Sequence, residues 1–148
     1  MKRFIEGFDY NFIAFARGAY LPLSRLALFI IYFWFGILKI LDTSAAIPIV
    51  HKLMEKTFLI SLMTPETFLV IFSIYEMAIG ILFLFPRFTR LAIFLFSLHM
   101  VMTIMPLFLL PEISWQSFFT PTLEGQYIVK NLALIALVMG IGGKLISK

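Results

Sequence analysis

Cysteine is absent from the 148-residue chain. That removes disulfides, thiol redox catalysis, Cys-ligated zinc and Cys-ligated iron–sulfur clusters together. Charge is scarce as well: 14% of the residues are charged, against about 25% in soluble domains. The net charge of +4 is small, and no run of Lys or Arg suggests a nucleic-acid partner. The sequence also has no GxSxG nucleophile elbow, HExxH zinc motif, phosphate-binding loop or dinucleotide fingerprint. Apolar residues take up the space, at 61% of the chain with 18 Phe and a mean hydropathy of +1.01. Composition alone places the chain in the membrane class.

A span needs about 20 mostly apolar residues, and four stretches qualify, at about 23–41, 67–85, 91–110 and 127–143. Backbone polar groups in lipid must be satisfied within the segment, so helices are expected. The spans are too long and too continuously apolar for barrel strands. With no internal repeat or domain boundary, the expected fold is all-α: a single four-helix integral membrane bundle over residues 1–148. Lys2, Arg3, Arg17 and Arg25 precede or open the first span, Arg87 and Arg90 occupy the turn between the second and third, and Lys144 and Lys148 follow the fourth. The bias of Lys and Arg predicts both termini on the cytoplasmic side, with Lys52 and Lys56 as counter-evidence.

Two flanking pieces read as amphipathic. In residues 1–22, Phe4, Phe8, Phe12 and Phe15 recur at helical spacing opposite Arg3, Glu6 and Arg17. In residues 48–63, Val50, Leu53, Met54, Thr57 and Phe58 oppose His51, Lys52, Glu55 and Lys56. Both suit helices lying on the membrane surface or packed on the outer end of the bundle. Trp115, Phe118 and Phe119 between prolines suit an interfacial aromatic loop.

Two ionisable residues sit where hydrocarbon is expected. Glu76 lies twelve residues before Phe88, at the turn between the second and third spans, and His99 lies eleven after it. At a rise of 1.5 Å per residue both fall roughly 17 Å from the turn, near the bilayer centre. The short turn makes these spans antiparallel neighbours, so the two groups can meet. An acidic group at a span's centre costs about 2.5–3.5 kcal/mol, which the surrounding Phe, Ile and Leu can offset. Ser73, Glu76 and Gly80 share one face of their span, as do His99 and Thr103 on theirs, and small or polar residues of this kind mark helix contacts in lipid. Gly36 and Lys39 line one face of the first span, and Lys130 and Asn131 open the fourth. Lys39, Lys130 and Arg25 are expected to snorkel to the interface, with Asp42 and Glu124 as partners for the two lysines. Glu76 and His99 are the candidate catalytic pair, and a purely structural pair locking two helices is the competing reading. No metal site is expected: Met100, Met102 and Met105 stand near His99, but His99 and Met102 share a helix and cannot be opposite axial ligands of one iron.

The stretches YFWFGILKILDTSAAIPIV (Tyr32–Val50), YEMAIGILFLF (Tyr75–Phe85) and LEGQYIVKNLALIALVMG (Leu123–Gly140) resemble the DoxX-like family of small four-helix membrane proteins. The resemblance rests on Gly36 and Lys39 in the first span, Glu76 followed by Gly80 in the second, and Lys130 with Asn131 opening the last. It implies a bacterial-type cytoplasmic membrane and a link to redox metabolism, with quinone as the candidate cofactor. Glu76 and His99 would then handle its protons, while Gly36, Lys39, Gly80, Lys130 and Asn131 would be binding contacts. Partners beyond the lipid bilayer would be a redox protein subunit or further copies of the chain. A non-enzymatic assembly subunit and a small proton-coupled carrier are the alternatives.

Overall fold

The computed structural model describes residues 2–146, with side chains from 9 to 145. Helix α1 (Lys2–Ile40) is followed by α2 (Ile47–Glu55), α3 (Pro65–Leu84) and α4 (Thr89–Ile104). Two short helices, α5 (Pro106–Leu109) and α6 (Pro111–Ser114), lead to α7 (Leu123–Val129) and α8 (Asn131–Ile146). Four helical stretches are long and apolar enough to cross a membrane: Asp9–Ile40, Pro65–Leu84, Pro86–Leu109 and Leu123–Leu145. The fold is an all-α bundle, decorated by one small antiparallel ribbon of β1 (Trp115–Ser117) and β2 (Thr120–Pro121).

The helix boundaries differ from the sequence expectation at three places. Residues 1–22 were expected as a separate surface piece, yet from Lys2 onward they continue without a break into the first span, through Pro22. Proline removes one backbone donor, and the helix continues through that loss. Of the expected aromatic stripe, Phe12 and Phe15 are exposed; the side chains of Arg3, Phe4, Glu6 and Phe8 lie outside those described. The third span is divided at Pro106, which opens α5. The fourth starts earlier than expected, at Leu123, and breaks at Lys130 between α7 and α8.

Local chemistry sets the remaining ends. Thr64 caps α3 by accepting from the Thr67 amide, with Pro65 at the first helical position. Thr122 caps α7 through the Gly125 amide. Helix α1 ends in a 6→1 and 5→2 pair of hydrogen bonds, Thr43 N to Leu38 O (2.9 Å) and Asp42 N to Lys39 O (3.3 Å). Asp42 occupies the left-handed region at φ 55° that this termination requires.

The main core joins Leu28 and Tyr32 of α1, Ile79 and Phe83 of α3, Ala92, Phe96 and Met100 of α4, and Val138 and Ile141 of α8. A satellite cluster of Val50, Met54 and Leu69 seats α2 on α3. Of the two readings of residues 48–63, packing on an end of the bundle is the one realised for Val50, Leu53 and Met54, while Phe58 stays exposed. Large apolar side chains such as Ile30, Trp34, Ile71, Ile74, Phe94 and Val101 face outward along the spans, as lipid-facing residues do.

Candidate functional site

Helices α1 and α3 run antiparallel at close range, and two glycines permit it. A Cβ on Gly36 would meet Met77 Cγ at 2.6 Å and the Ser73 carbonyl oxygen at 2.9 Å. One on Gly80 would meet Tyr32 Cβ at 3.1 Å and the backbone at Phe29 and Phe33 at 3.2 Å. Each glycine therefore receives the opposite helix. Both glycines are where two backbones touch, the role small residues take between helices in lipid and the one expected of the Gly80 face.

The close seam brings Lys39 to Glu76. Lys39 Nζ lies 2.6 Å from Glu76 Oε2, and both side chains are buried. Lys39 was expected to snorkel outward toward Asp42; the helix geometry explains why it does not. Side chains tilt toward their helix's N-terminus. Lys39 is in the last turn of α1, so it leans back toward the middle of the bundle, while Glu76 on the antiparallel α3 leans the opposite way. The two tilts close a gap of about one helical turn. Lys39 Nζ also reaches the Phe35 carbonyl at 3.4 Å and lies 5.8 Å from the Phe72 ring centre.

The second carboxylate oxygen of Glu76 takes the imidazole. His99 Nε2 stands 2.9 Å from Glu76 Oε1, so the two residues predicted to meet at mid-span do meet. The other ring nitrogen, Nδ1, lies 3.3 Å from the Tyr32 hydroxyl and 3.2 Å from Thr103 Oγ1. Thr103 uses its proton on the His99 carbonyl oxygen at 2.9 Å. With Lys39 as a cation and Glu76 as an anion, a neutral imidazole that donates from Nε2 to Glu76 and accepts the Tyr32 proton at Nδ1 balances the charge, and Thr103 Oγ1, its proton on the His99 carbonyl, then only stands beside Nδ1. Phe72 stacks on the imidazole with ring centres 4.9 Å apart and planes 14° apart. Tyr32 meets it edge-on at 5.1 Å. Among the described residues no buried side-chain nitrogen or oxygen lacks a partner.

Tyr32 and Phe72 are the members that sequence reasoning missed. The signal for Tyr32 was present, since Tyr32, Gly36 and Lys39 fall at i, i+4 and i+7 on one helical face. Phe72 gave none among 18 phenylalanines. Conversely, Lys130 and Asn131 do not share hydrogen bonds with Glu76, whose partners are Lys39 and His99. Lys130 is exposed, at the break between α7 and α8, with its Nζ 5.0 Å from the Tyr127 ring centre. Asn131 is half-buried. Arg25 donates to the Phe83 carbonyl at 2.9 Å and to Thr89 Oγ1 at 2.7 Å, so its head group lies at the turn between α3 and α4, the interface to which it was expected to reach. It thereby ties α1 to the turn between α3 and α4.

Two grooves open on the outside of the bundle. One of about 340 Å³ is lined by Phe29, Ile30, Phe33, Trp34 and Ile37; the other, of about 620 Å³, lies between α1 and α8. Neither includes Lys39, Glu76 or His99. Among the described residues no cluster of three or more His, Asp or Glu side chains is arranged to hold a metal ion. Comparison of the chain with family models, with curated proteins and with solved structures finds no match, so the buried Lys39–Glu76–His99–Tyr32 network is the ground on which function is argued.

Proposed function

We propose that the chain is a DoxX-like subunit of a membrane redox system, in which the Lys39–Glu76–His99–Tyr32 network holds a quinone-class molecule and handles its protons. One observation carries this reading: three ionisable side chains are gathered, buried and hydrogen-bonded in series within the membrane-crossing part of the bundle. Burying charge there is costly, and intramembrane ionisable groups mark ligand or proton pathways by default. The distribution of Lys and Arg supports both termini on the cytoplasmic side, and the DoxX-like resemblance implies that the membrane is of the bacterial cytoplasmic type.

The residues suit a quinone carbonyl at one end of the network. The contacts at His99 Nδ1, 3.3 and 3.2 Å, are longer than those at Glu76, 2.6 and 2.9 Å. Thr103 at that end is only half-buried. Tyr32 would turn its hydroxyl from His99 Nδ1 to donate to the carbonyl oxygen, with Thr103 beside it, and Phe72 and Tyr75 would flank the ring. A bound quinone supplies reversible two-electron, two-proton chemistry, with the electrons coming from a partner subunit. The chain's own part is protonic. An imidazole can accept a proton at one ring nitrogen and release one from the other, so His99 links Glu76 to the Tyr32 end. Glu76 orients the ring and balances an imidazolium, and Lys39 balances the carboxylate.

A second reading has an observation of its own. The network leaves no buried polar side-chain atom unpaired among the described residues, and its helices are locked at Gly36 and Gly80. Both favour a non-enzymatic accessory subunit whose polar residues specify helix packing. Solvent extraction of the purified protein, with quantification of quinone, separates the two. The redox reading expects quinone at a level approaching one per chain, lost in Tyr32→Phe at a nearly unchanged melting temperature. Quinone-free wild-type protein, or full quinone retention in Tyr32→Phe, would overturn it in favour of the packing role.

A further inference from the structure

The groove between the first half of α1 and the end of α8 is lined by Phe12, Ile13, Ala16, Arg17, Tyr20 and Lys144. Among the described residues its lining is mostly apolar, and the charged side chains in it, Arg17 and Lys144, are both basic. Gly140 makes the groove's inner end: a Cβ there would collide with Tyr20, and the Tyr20 hydroxyl donates to the Leu137 carbonyl at 3.3 Å. The tyrosine thus pins α1 to α8, and beyond it the helices leave a space of about 620 Å³.

Depth identifies what fits. About 20 helical residues cross the hydrocarbon. Counted back from Ile40, where α1 ends, that distance runs out near Leu21. Arg17 lies one helical turn further on, about 6 Å along the axis, at the level of lipid headgroups. Lys144 is in the last turn of α8. Both belong to the end of the bundle that carries Arg87 and Arg90 in the turn before α4. The nearest acid on the described part of α1 is Asp9, two turns beyond Arg17. Phe12 and Ile13 are 61% and 42% exposed, an apolar ledge beside the two cations. A headgroup phosphate between cations with its chains against such a ledge is how basic pockets between membrane helices take anionic lipids.

We propose that this groove is a binding site for an anionic phospholipid, its phosphate held by Arg17 and Lys144 and its glycerol and upper acyl chain lying along Phe12, Ile13 and Ala16. The site is separate from the Glu76 network and stands whether or not a quinone binds there.

Native mass spectrometry of the detergent-purified chain, mixed with equal amounts of phosphatidylglycerol and phosphatidylcholine, tests it. Each basic residue near a membrane surface is worth roughly fivefold in binding. Wild-type protein is expected to carry the anionic lipid in clear excess, and Arg17→Gln with Lys144→Gln to cut that excess by about tenfold or more. Arg87→Gln with Arg90→Gln removes the same charge from the same end outside the groove and should keep the excess. Equal loss in both double variants would overturn the proposal, since the preference would then be a general charge effect. So would an undiminished excess in the groove variant. Inorganic phosphate is the third arm: binding of phosphate alone that needs Arg17, without any lipid preference, would show a free-anion site instead. All four substituted side chains are exposed, so folding is not at stake.

Discussion

The two faces of α1 are held by different physics. Toward α3 it presents Gly36, Lys39 and Tyr32 to a seam where backbones touch and charges pair. Toward α8 it is fixed by one tyrosine hydroxyl, Tyr20 on the Leu137 carbonyl, and by the apolar core to which α8 gives Val138 and Ile141. The apolar stretch of the α3 span is 33% buried, that of the last span 17%. The α1–α3 seam has one solution, because its glycines and ion pair fix both the distance and the register. The α8 side relies on shape and apolar contact, which tolerate change more readily.

That contrast can be broken first at Glu76. Glu76→Ala strands Lys39 without its anion, and removing one member of a buried ion pair costs about 3–5 kcal/mol. The thermal midpoint in detergent should fall sharply, and Lys39→Met added to Glu76→Ala should restore a large part of the loss. A double variant no more stable than Glu76→Ala would show that the ion pair is not what sets the seam. Next in size is Gly36→Ala, expected to cost about 1–3 kcal/mol by overpacking, because the Ser73 carbonyl it meets is backbone and cannot swing away. A midpoint within error of wild type would show that the seam can open. Gly140→Ala sharpens the comparison from the other side. Its added carbon meets the end of a tyrosine side chain, which can rotate off, so the cost should be under about 1 kcal/mol and should shrink further in Tyr20→Phe. The smallest effect belongs to Tyr32→Phe, which removes one hydroxyl from His99; hydrogen bonds between helices in lipid average about 0.6 kcal/mol. A loss as large as that of Glu76→Ala would make Tyr32 a keystone of the network instead of its end.

The ease of reading each feature follows the range of the interaction behind it. The four spans were legible because bilayer crossing needs a run of apolar residues, which composition displays directly. The Glu76–His99 meeting was legible because a tight turn sets equal depth on two adjacent helices. The reach of Lys39 was misread. Its position near a span end suggested the interface, and only the antiparallel partner and the inward tilt of its side chain sent it to Glu76. Residues 1–22 were misread for a local reason, since an amphipathic stripe followed by a purely apolar run looks like two helices, and one unbroken helix carries both. Gly80 was legible as a helix contact beside Ser73 and Glu76, while Gly36 was legible only as a small residue on an inward face, because a glycine that admits a ligand and one that admits a helix look alike in sequence.

The sequence by itself determined that this chain forms four apolar helices and that an acid and an imidazole reach the same level on two of them, since both follow from rise per residue and the chemistry of lipid. The tertiary structure alone decided that Lys39 and Tyr32 complete the network while Lys130 stays outside it. Those choices depend on which helix faces which, a relation between segments far apart in the chain that no local period encodes.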